Sequence, residues 1–135
     1  MPDAPPTIPI RAPCPPGACV CDRERLLADP QADRRVLLLT RADEQRLLAR
    51  IERVDSYADL QRVQAVIFQN LGVALRIAPG VNEVKSVRGI IVALDEQPGL
   101  CKKVRQSIPA AIRRRLEAHP QIMYDILDAN DLFGR

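Results

Sequence analysis

Apolar side chains recur at helical spacing over two stretches in the first half of the chain: Leu47, Leu48, Ile51 and Val54 form one stripe, and Leu60, Val63, Ile67 and Leu71 form another. Residues at such intervals share one side of a 3.6-residue helix, so each stripe predicts an amphipathic helix with one buried face. Both have start signals. Thr40 with Asp43, and Ser56 with Asp59, match a capping box that carries the shorter acid, in which the hydroxyl accepts from the backbone N–H three residues on. Gly72 is the expected stop of the second helix, and the two are expected to pair as an antiparallel helical hairpin.

Beyond Gly72 the apolar period changes from helical to two. Val73, Leu75 and Ile77 alternate with Ala74 and Arg76, "APG" turns the chain, and "RGIIVAL" supplies a second run. This predicts a β-hairpin with a loop of several residues. After "DEQPG" the pattern is helical again: residues 100–106, then Ser107 as the cap of a further helix through "IPAAIRRRLEA", with Pro109 tolerated in its first turn. His119 and Pro120 end that helix, and Ile122, Met123, Ile126 and Leu127 mark a last amphipathic one. Ahead of the capped helices, "RERLLADP" predicts a short helix closed before Pro30, and "RRVLLLT" a brief strand or an apolar approach to the next helix.

The first residues carry no such pattern. Seven of the twelve prolines lie in the first sixteen positions, and proline fixes φ while removing a backbone donor, so an extended arm is expected there. The organisation expected is a proline-rich, cysteine-containing arm over 1–21 and one α+β domain over 22–135. That domain would place a helical hairpin and C-terminal helices on one face of a small antiparallel sheet.

Composition narrows the chemistry. At 47% hydrophobic and 27% charged the chain is ordinary for a globular protein, but aromatics are 3% and tryptophan is absent. Leucine, isoleucine and valine must build the core, and Tyr57, Phe68, Tyr124 and Phe133 are too few to form a platform for stacking bases. No apolar run approaches the ~20 residues of a membrane helix, and the opening residues do not form a secretory signal. A cytoplasmic protein is therefore expected, with no membrane partner. The arginine and alanine richness suits a GC-rich bacterial genome.

In that reducing setting, clustered cysteines point to metal or redox chemistry. Cys14, Cys19 and Cys21 follow the spacing C-x4-C-x-C in a loop that contains Pro15, Pro16 and Gly17, and Cys101 stands eighty residues further on. Four thiolates satisfy tetrahedral zinc, and Cys101 as distant ligand would pin the arm to the domain. The same set could hold an iron–sulfur cluster. Paired C-x2-C knuckles are missing, however, and the alternative is no cofactor at all, with the thiols free or redox-active and Cys101 a small core residue. His119 could stand in for Cys101 as a ligand or cap the end of its helix.

The net charge of +3 is unevenly distributed. Lys102, Lys103, Arg105, Arg113, Arg114 and Arg115 follow one another with no acid until Glu117, while the last helix carries Asp125, Asp128 and Asp131. Such asymmetry attracts a polyanion, nucleic acid above all, or an acidic protein surface. Successive helical residues lie about 100° apart, so consecutive arginines cannot all face one track. The alternative is a solvated face whose arginines pair with the acidic helix.

No phosphate-binding loop, nucleophile elbow or zinc-protease signature is present. Glu83, Asp95 and Glu96 near the hairpin ends are the carboxylates best placed for catalysis, but surface turns explain them equally well, and a non-enzymatic role is expected. The leading expectation is a small bacterial cytosolic accessory or regulatory protein, with a cysteine-bound structural metal and a basic surface for nucleic acid or an acidic partner. A protein-interaction module, with the proline-rich arm as docking peptide, is the first alternative. An iron–sulfur or thiol redox protein is the second.

Overall fold

The computed structural model describes residues 22–80 and 87–130. Cys14, Cys19, Cys21, Glu83, Asp131 and Phe133 lie outside them, as does the arm 1–21. The order of elements is helices, hairpin, helices, which makes the fold α+β. Helix α1 covers Arg23–Ala28, a 3-10 turn covers Arg35–Leu38, and α2 (Arg41–Glu52) and α3 (Tyr57–Leu71) follow. Strands β1 (Leu75–Pro79) and β2 (Ile90–Leu94) form a two-stranded antiparallel sheet, and α4 (Lys102–Ala118) and α5 (Pro120–Ala129) complete the described chain.

Both hydroxyl caps form. The Thr40 hydroxyl accepts from the Asp43 N–H at 3.2 Å, and the Ser56 hydroxyl accepts from the Asp59 N–H at 3.1 Å. Gly72 ends α3 at φ 70°, a left-handed conformation that favours glycine, and its N–H reaches the Phe68 carbonyl. The two consecutive helices are joined by a short turn and by the ion pair of Arg50 with Asp59. Helix α2 packs chiefly on α4, while α3 packs on the 3-10 turn, α5 and β1. Ile51 of α2 and Leu60, Val63 and Ile67 of α3 all join one buried cluster.

One local expectation is resolved between its two alternatives and another is corrected. Of the two readings of "RRVLLLT", the apolar approach to the next helix is the one found: it forms the 3-10 turn ahead of α2, with Val36 and Leu37 fully buried beneath α3. Helix α4 runs unbroken from Lys102 to Ala118 through Pro109, and its N-cap is Cys101, not Ser107. The Ser107 hydroxyl instead donates to Oε1 of Glu44 on α2 at 3.0 Å. A proline inside a helix costs about 3 kcal/mol. Here it is offset by burial of Val104, Ile108, Ala111, Ile112 and Leu116 on the same helix, and Pro109 is itself buried.

The sheet buries one face. Leu75 stands opposite Leu94, Ile77 opposite Val92 and Pro79 opposite Ile90; Leu75, Ile77, Ile90, Val92 and Leu94 all belong to the core. Arg76 and Ile91 are exposed on the other face. Helix α4 packs against β2 and α5 against β1, so the helices cover one face, as the alternation predicts.

Candidate functional site

The basic segment lies on α4, and continuity through Pro109 sets the phase of its cations. At about 100° per residue, Lys102, Arg105, Gln106, Pro109 and Arg113 fall within one stripe, whereas Lys103 and Arg114 lie a quarter-turn or more away and Arg115 is on the far side. The stripe forms one wall of an open groove of about 420 Å³, and the strand β2 forms the other through Val92, Ala93 and Leu94. Of the six cations expected to act together, the groove gathers Lys102, Arg105 and Arg113.

Each has a distinct setting. Lys102 is exposed. Arg105 is half-buried, its Nη1 lies 3.4 Å from Oε2 of the exposed Glu96, and its Nε is buried without a hydrogen-bond partner. Arg113 donates from Nη2 to the Val92 carbonyl at 3.1 Å, so it reaches from the helix to the edge of the sheet. Among the described residues the groove's lining therefore carries three cations and no carboxylate, with Glu96 meeting Arg105, an excess of positive charge beside a partly apolar floor.

Arg115 serves a different purpose. Its Nε donates to the Val54 carbonyl, just past the end of α2, at 2.6 Å. Arg34 similarly donates to the Leu27 and Asp29 carbonyls at the end of α1, and Arg35 to the Gln69 carbonyl in the last turn of α3. Cationic donors suit helix C-termini, whose last carbonyls lack partners and carry partial negative charge. Among the described residues, Arg113, Arg114 and Arg115 form no ion pair with Asp125 or Asp128, and Asp125 accepts instead from Gln121 at 2.9 Å. Lys103 and Arg114 are exposed outside the groove.

The carboxylates near the hairpin ends are engaged. Asp95 pairs with Arg76 across the strands at 2.7 Å, and Glu96 meets Arg105. The most enclosed carboxylate is Asp59, 8% exposed at its side chain, which receives two hydrogen bonds from Arg50 at 2.5 and 3.0 Å and has Arg62 at 3.5 Å. The Arg50 guanidinium holds the Asp59 carboxyl below the usual range, and Asp59 in turn raises Arg50. Arg35 does the same for Asp33 on the exposed surface, chiefly by hydrogen bonding. Both pairs tie local structure and neither faces the groove.

Of the cysteines, only Cys101 is among the described residues; it is buried at the head of α4 and belongs to the core. No group of three or more His, Cys, Asp or Glu side chains suited to a metal occurs among the described residues. His119 is the residue between α4 and α5, and its backbone N–H closes α4 on the Arg115 carbonyl. A second hollow, of about 340 Å³, lies between the 3-10 turn, α2 and α3 and is mostly apolar, lined by Leu39, Leu47 and Val66 among others. No helix among the described residues is long and apolar enough to cross a membrane. Comparison with family models, curated proteins and solved structures finds no match to this chain.

Sequence reasoning missed the groove although its signal was present. The intervals of three, four and four residues from Lys102 through Arg105, Pro109 and Arg113 are one helical stripe. Reading two helices interrupted at Ser107 broke the phase that makes it visible.

Proposed function

We propose that the protein is a cytoplasmic accessory or regulatory binding module that engages a polyanionic partner, nucleic acid or an acidic protein surface, through the groove between β2 and α4. The observation that carries this reading is the convergence of Lys102, Arg105 and Arg113 on one groove whose described lining holds no acid. Opposite charge in a concave, partly apolar site raises both encounter rate and selectivity. The proposal extends to the cysteines: Cys14, Cys19 and Cys21 would join Cys101 around a structural metal, zinc by the donor set or iron in a cluster, and so dock the arm at the head of α4.

Retention of duplex DNA, single-stranded nucleic acid and polyglutamate at ~50 mM salt tests the binding reading. Three phosphate contacts give a slope of about 2.7 in log affinity against log salt on duplex DNA. The double variant Lys102→Glu/Arg113→Glu should abolish retention, and the charge-matched Arg25→Glu/Arg41→Glu, at exposed positions on α1 and α2, should keep it. Failure of the unmodified protein to retain any of the three polyanions removes the proposal.

A further inference from the structure

The groove has a second property besides its charge: among the described residues, its β2 wall is the unpaired edge of a sheet. The Asp95 N–H bonds to the Ala74 carbonyl at 3.0 Å and the Gly80 N–H to the Gly89 carbonyl at 2.7 Å. In an antiparallel ladder, pairs that exchange hydrogen bonds alternate with pairs that do not. With Leu75 opposite Leu94 and Ile77 opposite Val92, these last are the non-bonded pairs, and their N–H and C=O groups point away from the partner strand.

Two side chains confirm the direction. Gln64 donates to the Leu75 carbonyl at 2.9 Å on the outer edge of β1, and Arg113 donates to the Val92 carbonyl at 3.1 Å on the outer edge of β2. The β1 edge is further closed to pairing by Pro79, which has no N–H to offer. On β2, the N–H groups of Val92 and Leu94 and the carbonyl of Leu94 meet no partner among the described residues. Natural sheets seldom leave a strand edge without a partner, because it is a template for another strand, and here the Arg113 side chain covers part of it.

From this we infer that the groove takes an extended acidic peptide segment of a partner protein, added as a third strand along Val92–Leu94. The inference rests on the polyanion-binding reading above and names its ligand. With Arg113 on the Val92 carbonyl, Val92 and Leu94 are only 2% and 8% exposed, so main-chain bonds to β2 would form as the Arg113 side chain swings off that carbonyl to meet an acidic residue of the segment. Side chains alternate across a strand, so every second residue of the segment would face α4, where Lys102, Arg105 and Arg113 stand. Those positions call for Asp or Glu. The intervening ones would join the open face of the sheet, beside Ile91, which is 50% exposed, and there Val or Thr fits. Nucleic acid is the poorer occupant, since no aromatic ring lines the groove to stack a base and peptide amides, not phosphates, complement a strand edge.

The test is fluorescence anisotropy with a labelled peptide, Glu-Val-Glu-Thr-Glu-Val-Glu, and three comparison probes. One is the same composition with the glutamates contiguous; one is the alternating peptide N-methylated at the residues that would bond to β2; one is single-stranded oligothymidylate. The alternating peptide should bind saturably, protect the Val92 and Leu94 amides from hydrogen exchange, and weaken about tenfold or more on N-methylation or on shuffling. Equal binding of all three peptides, abolished by Lys102→Glu/Arg113→Glu, overturns strand addition and leaves the polyanion reading intact. Binding of oligothymidylate but of no peptide does the same in favour of nucleic acid. Binding of no probe removes both.

Discussion

The buried carboxylate of Asp59 offers the sharpest quantitative test of the fold. Its side chain is 8% exposed whereas that of Arg50 is 41% exposed, so the two halves of the pair should respond unequally to truncation. Arg50→Ala removes two charge-assisted hydrogen bonds and leaves an enclosed anion held by a backbone hydrogen bond from Asp55 and by Arg62, the latter at 3.5 Å and on a side chain 74% exposed. Because an uncompensated buried charge is the larger penalty, the expected loss is about 2–3 kcal/mol. Asp59→Ala leaves a guanidinium that can turn into water, so solvent screening reduces the loss to about 1–2 kcal/mol, the favourable placement of an acid in the first turn of α3 included. Urea unfolding followed by far-UV circular dichroism reads both by linear extrapolation. The pH dependence has a definite sign. The folded-state pKa of Asp59 is depressed, so its contribution is complete above the unfolded carboxylate value of about 4 and is lost as pH falls through the lower, folded value. The gap between the unmodified protein and Arg50→Ala should therefore narrow in acid. Asp59→Ala losing as much as Arg50→Ala at neutral pH, or a gap that is constant down to acid pH, would refute the reasoning.

Two further outcomes are expected. Gly99 has φ 87°, and a Cβ there would lie 2.7 Å from Cδ2 of Leu26 and 2.8 Å from Cγ1 of Val36, both in the core, whereas at Gly72 the nearest atoms are the side-chain ends of Asp33 and Arg35. Thermal unfolding should thus show Gly99→Ala to cost about 3 kcal/mol or more and Gly72→Ala about 1–2 kcal/mol; equal costs would mean that the core around Leu26 yields freely. For the cysteines, Cys101→Ser keeps a good N-cap residue on α4, so the fold should persist while metal content and protection of the arm from proteolysis fall together. Elemental analysis showing stoichiometric metal in that variant would exclude a site shared between Cys101 and the arm.

What could be read from sequence alone was whatever depends on neighbours within one or two turns. The capping hydroxyls of Thr40 and Ser56, the stop at Gly72, the alternation through Leu75 and Ile77, and the helical stripe ending at Leu127 all act over a few residues, and each element they predict is present. Hence the α+β class was legible, and so was the concentration of cations between Lys102 and Arg115. Three matters were decided only by tertiary packing. "RRVLLLT" has β-branched and apolar residues enough for a strand, but no third strand pairs with it, and burial beneath α3 makes it a 3-10 turn. Pro109 carries a local signal for a new helix start, yet the apolar face shared by Val104, Ile108, Ile112 and Leu116 outweighs the cost of a proline within α4. That continuity brings Lys102, Arg105 and Arg113 into phase. The division of labour among the cations followed from the same packing: a cation binds outward or caps a neighbour according to which carbonyl lies within reach. For Arg115 that carbonyl belongs to Val54, sixty-one residues away in the chain, a proximity that no local pattern encodes.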